Sequence, residues 1–142
     1  MNKLNPGFLR VLIVALFFAA FVLPASPANA AAQHGFSVKQ YEAFHDVLHP
    51  LEHEALPKND FRTIRVKSAQ LVSRGNAIVR LGVPRGITKD QRAEFKAGMR
   101  KFSQALVKFR ADARRGTDDQ LRVSYSAVHD TFEMLAGMLP RG

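Results

Sequence analysis

The chain has 142 residues, a formal charge of +9 and no cysteine. Without a thiol there is no disulfide, thiolate zinc site, iron–sulfur cluster, cysteine nucleophile or Cys-x-x-Cys-His attachment of haem. Packing of apolar side chains must then hold the fold together.

The first thirty residues read as a secretory signal peptide of bacterial type. Lys3 and Arg10 make a basic start, Val11 to Leu23 is an unbroken apolar run, and Ala28-Asn29-Ala30 is a small-x-small cleavage site. The run of 13 residues is shorter than the ~20 a membrane-spanning helix needs. Cleavage after Ala30 predicts a periplasmic or secreted chain of 112 residues with no transmembrane segment. Residues 31–36 are expected to be a loose leading segment. Cleavage one residue later would make His34 the third residue, a position from which backbone nitrogens and imidazole chelate Cu²⁺ or Ni²⁺.

Four amphipathic helices follow. The first is expected over 37–56, capped by Ser37, with Tyr41, Phe44, Leu48, Leu51 and Ala55 on its apolar face. Pro50 lies inside it and is expected to kink it, since proline cannot donate to the carbonyl of Asp46. The second, over 60–82, turns Phe61, Ile64, Ser68, Leu71, Val72, Gly75, Ile78 and Val79 inward. The third, over 88–115, opens on a Thr88-x-x-Gln91 capping box and carries Phe95, Met99, Phe102, Leu106, Phe109 and Ala113. A second box, Thr117-x-x-Gln120, opens the fourth over 118–139, with Leu121, Tyr125, Val128, Phe132, Leu135 and Leu139. No stretch alternates with the period of a strand. The pattern predicts an all-α, up-down-up-down antiparallel four-helix bundle over 37–142.

His45, His49 and His53 recur every fourth residue of the first helix, and His129 lies in the fourth with Glu133 one turn on. At about 100° per residue, His45 and Glu52 edge the apolar face and His49 lies at its boundary. The stripe drifts, so His53 is expected to turn outward as a peripheral member. His45 and His53 are also about 12 Å apart along the axis. Antiparallel packing of helices one and four places residue i roughly opposite 175 − i, which sets Glu42-x-x-His45 beside His129-x-x-x-Glu133. The expected metal site is therefore His45, His49 and His129, completed by Glu42, Glu52 or Glu133. Nitrogen and carboxylate ligands suit divalent Zn, Cu, Ni or Co. The corresponding function is metal buffering, delivery or sensing outside the cytoplasm. A histidine bonded to a neighbouring carboxylate at a helix boundary is the plainer use of the same residues. Met134 and Met138 are expected to serve packing or the surface.

The architecture is also similar to that of exported four-helix cytochromes, although no sequence motif carries that likeness. A b-type haem held axially by His45 and His129 is the alternative it implies.

Charge is unevenly spread. Residues 60–115 carry fifteen Lys/Arg against four acids, while 36–59 and 116–142 each carry two against four. The basic face of helices two and three suits an anionic partner, lipid or acidic protein, which gives a third reading as a binding or chaperone-like module. No nucleic-acid motif accompanies the charge. No phosphate loop, nucleophile motif or second Glu-x-x-His is present, so an enzyme is not expected.

Overall fold

The structure, a computed structural model, describes residues 36–140. The signal peptide, its cleavage site and His34 lie outside the described residues. Four helices make up the fold, with no strand among the described residues: α1 Lys39–Pro50, α2 Phe61–Leu81, α3 Arg92–Arg115 and α4 Asp118–Gly137. Between α1 and α2 a single π-helical turn, Leu51–Ala55, continues the first helix. Among the described residues no helix is long and apolar enough to cross a membrane.

Local chemistry explains most of the boundaries. Asp60 caps α2 by accepting from the Thr63 N–H at 3.0 Å and the Thr63 hydroxyl at 2.6 Å. Those two bonds, the hydroxyl's first, hold the Asp60 carboxyl below the usual carboxylate range. Gly82 ends α2 at φ 70°, a conformation that residues with a Cβ rarely adopt. The expected box at the start of α4 is complete. The Gln120 N–H donates to the Thr117 hydroxyl at 3.2 Å, and the Thr117 N–H donates to Gln120 Oε1 at 2.9 Å.

Two expected starts differ. Thr88 does bond Gln91, but 89–91 form a turn and α3 begins at Arg92. Ser37 does not cap α1. Val38 holds that position, with no side-chain bond, and the Ser37 hydroxyl donates to the Pro140 carbonyl at 3.1 Å. Phe36, assigned by sequence to a loose segment, is packed: its N–H donates to Glu42 Oε2 at 2.9 Å, and its ring meets Tyr41, His45 and Phe132.

The core is aromatic. Phe44 touches Phe132 at 4.6 Å and Phe102 at 5.4 Å between ring centroids, and Tyr41 stacks on Phe132 at 5.8 Å. These rings join α1, α3 and α4. Burial of each large ring removes apolar surface worth ~2 kcal/mol from water, which makes this cluster the main source of cohesion. Helices α2 and α3 meet at a glycine: a Cβ on Gly75 would stand 2.7 Å from both Leu106 Cδ atoms, so the missing side chain limits their separation. Met134 and Met138 are partly buried against the core, in keeping with a packing role.

One polar contact spans the helices at their far end. The Arg65 guanidinium on α2 donates to the carbonyls of Asp112, Ala113 and Gly116 and to Asp118 Oδ1, all at 2.8–3.1 Å. It adds a charged donor to carbonyls at the C-terminus of α3, where Asp112 O also accepts the Gly116 N–H at 2.8 Å, and meets the negative end of that helix's dipole.

Candidate functional site: a histidine groove between α1 and α4

Proline explains where the first helix changes character. Pro50 has no N–H, and its ring crowds the carbonyl of the residue four back. From that point the backbone widens: the Leu56 N–H donates to Leu51 O, and the Asp60 N–H to Ala55 O, both at 2.9 Å and both spanning five residues. Pro50 thus ends the α-helical segment, and a π-turn, Leu51–Ala55, follows it.

That turn governs the histidines. A turn closed by i→i+5 bonds holds more residues than an α-turn, so four residues no longer overshoot it. His53 lies inside this turn, one turn on from His49. Ring centroids are 5.3 Å apart for His45 and His49, and 4.3 Å apart for His49 and His53. His53 is exposed, as the outward turn expected of it requires, and its ring neighbours that of His49.

All three rings line one open groove of about 520 Å³, together with Phe36, Glu133, Ala136 and Gly137. Ala136 and Gly137 keep the α4 wall low. His45 is half-buried, its ring edge-on to Phe36 at 5.4 Å and stacked over Phe132 at 6.4 Å; His49, His53 and Glu133 are exposed. The groove thus offers a ring fixed in the aromatic core at one end and two mobile imidazoles with a carboxylate at its rim.

The other expected ligands go elsewhere. His129 does not line this groove; its Nδ1 lies 3.2 Å from Asp130 Oδ1, the ordinary boundary-histidine arrangement. The His45–Phe132 contact shows why. The level of α1 against α4 is close to that expected, but the rotation of α4 turns Phe132 and Glu133 toward His45. Glu42 is engaged by the Phe36 N–H. Glu52 sits beside Tyr125, whose hydroxyl donates to the Leu48 carbonyl at 3.2 Å. Burial first, and the Glu52 charge second, push the Tyr125 phenol well above its usual range.

Among the described residues no group of three or more His, Asp or Glu side chains stands in a metal-holding arrangement. The groove's rings lie at stacking distances from one another. Convergence on an ion requires at least rotation of the exposed His49 and His53 side chains. Sequence reasoning missed Phe36 as a wall of this groove, and the relevant signal was its place five residues before another aromatic, Tyr41, of the same core.

No family model, no curated protein and no solved structure matches the chain.

Proposed function

We propose that the protein is an exported, up-down-up-down helical bundle that binds one divalent transition metal ion in the α1–α4 groove, for buffering, delivery or sensing. The observation that supports this reading is the three-imidazole stripe of His45, His49 and His53 beside Glu133 in a single open groove. In the proposed site His49 and His53 are the primary ligands, at a spacing of one turn. Glu133 supplies charge from α4, and His45 completes the set on a ring already held by Phe36 and Phe132. Open coordination positions toward the groove would allow the ion to be passed on. Nitrogen and carboxylate donors favour Zn²⁺, Cu²⁺, Ni²⁺ or Co²⁺.

Calorimetric titration of metal-stripped protein at pH 7 with each of these ions tests the reading. Expected is one ion per chain, displaced on acidification as imidazole nitrogens take up protons. His49→Ala and His53→Ala should each weaken binding by at least about tenfold, whereas His129→Ala should have little effect. Absence of heat for every ion, or equal affinity in the His49→Ala protein, would refute it. A haem held by His45 and His129 gains no support, because His129 does not line the groove that His45 lines.

A further inference from the structure

The basic residues of the α2–α3 hairpin divide into two groups. Some are committed to the fold: Arg65 holds the end of α3, and Lys108 pairs with Asp112 at 2.8 Å. Arg122 of α4 is committed too, lying over the Phe61 ring at 4.9 Å and bonded to Asn59. Arg80, Arg110 and Arg114 are different. All three are exposed, and none forms an ion pair among the described residues.

These three converge on one feature, the outer groove between α2 and α3, of about 270 Å³. Ser73 and Asn76 line it with them, Val72 forms its floor, and no carboxylate lines it. The α1–α2 groove shows the contrast, since Asp46, Glu54 and Asp60 there share the walls with Lys58 and Lys67. Of the four acids in 60–115, two are spent in local bonds: Asp60 on Thr63 and Asp112 on Lys108. The positive potential along this groove is therefore uncompensated from within, and guanidinium is the cation best matched to phosphate oxygens.

Two of the exposed apolar side chains fall on the same side, while a third, Val123, lies on α4. Val66 precedes Ser73 by two helical turns and Val107 precedes Arg114 by two, so each shares the face of its helix that lines the groove. They are 72% and 69% exposed, unlike every apolar residue of the core. Guanidiniums interspersed with exposed aliphatic side chains on one helical face are what an anionic bilayer surface accepts: charge to the headgroups, apolar tips into the boundary beneath. A soluble polyanion uses only the first.

We propose that the α2–α3 face, centred on Arg80, Arg110 and Arg114, is a docking surface for the phosphate headgroups of an anionic lipid bilayer. No residue is shared with the histidine groove, so docking leaves that groove open. The two sites stand or fall separately.

Co-sedimentation of the purified protein with phosphatidylglycerol–phosphatidylcholine vesicles tests the proposal, with pure phosphatidylcholine vesicles alongside. Expected is binding to the anionic vesicles alone, weakening steeply with added salt. Replacing Arg80, Arg110 and Arg114 together by Gln should weaken it by about a hundredfold. The charge-matched triple Lys67→Gln, Arg74→Gln, Lys101→Gln should do markedly less. Val66→Ser with Val107→Ser should lower vesicle binding while leaving any binding of inorganic polyphosphate unchanged. All these positions are exposed, and circular dichroism confirms that the variants fold. Equal binding to neutral vesicles overturns the proposal, as does equal loss in both charge triples, which would reduce the effect to net charge. Binding of polyphosphate or polyglutamate without binding of vesicles also overturns it, in favour of a soluble polyanion or an acidic protein.

Discussion

The hydroxyl of Tyr125 on α4 donates to the backbone carbonyl of Leu48 on α1 at 3.2 Å, in a place with no solvent exposure at the tyrosine. It is a direct hydrogen bond between these two helices, whose other contacts described here are ring against ring. Tyr125→Phe keeps the ring and its 6.0 Å contact with Phe109 but removes that bond. Stability should fall by about 1 kcal/mol, read as a lowered urea midpoint with an unchanged slope.

Tyr41, the chain's other tyrosine, is fully buried, and its hydroxyl has no hydrogen-bond partner among the described residues. Burying a hydroxyl in this way costs about 1–3 kcal/mol, so Tyr41→Phe should raise the unfolding temperature while Tyr125→Phe lowers it. Both phenols are pushed up by burial, from an ordinary value of 10.0. Between pH 10 and the folded values the unfolded chain gives up protons that the folded chain keeps, so stability is intact below pH 10 and declines above it. The slope should approach about 1.4 kcal/mol per pH unit for each tyrosine. Tyrosinate absorbance should appear together with loss of helix, and the double Phe variant should lose this share of the alkaline slope.

Arg65 makes four bonds that no shorter or differently shaped cation reproduces. Three go to backbone carbonyls at the end of α3, of which the Asp112 carbonyl also accepts the Gly116 N–H at 2.8 Å. Arg65→Met should therefore cost about 2–3 kcal/mol, because charge-assisted bonds are lost and the carbonyls are left partly buried. Arg65→Lys should recover little of it, since one ammonium cannot span the fork. Thermal denaturation of the three proteins decides the matter.

Pro50 touches no imidazole, yet it marks where the helix widens. Pro50→Ala restores an N–H for the Asp46 carbonyl and favours α-helical bonding through the segment. His53 should then stand further round the helix from His45, and metal affinity should fall by about tenfold with every ligand still present. Stability should rise or hold in the same variant, so a loss of affinity cannot be ascribed to unfolding. Unchanged affinity would mean that the π-turn has no part in the site.

What could be read in the residues was what their near neighbours determine. The α3 and α4 stripes, Phe95 to Ala113 and Leu121 to Leu139, follow from α-helical periodicity, and their members are buried apart from the half-buried Met99. The Thr117–Gln120 box follows from a spacing of three. The π-turn did not follow, because an α-helical period was carried through Pro50, where the backbone abandons it. Ser37 and Arg65 were equally opaque. Their partners lie 103 and about fifty residues away, and a serine before a helix or an arginine within one has an adequate local explanation. His129 was assigned the right height and the wrong rotation, a quantity that depends on how the Phe44–Phe132 contact packs.

The bond from Ser37 to the Pro140 carbonyl brings both ends of the described chain to the groove that Phe36 and Gly137 line. A segment joined directly to Phe36 or Pro140 would start beside it. An oligohistidine purification tag placed there would hang spare imidazoles beside His45, capture ions on its own account and inflate both stoichiometry and affinity. Metal titrations on this protein therefore need a tag that is cleaved off, or one without histidine.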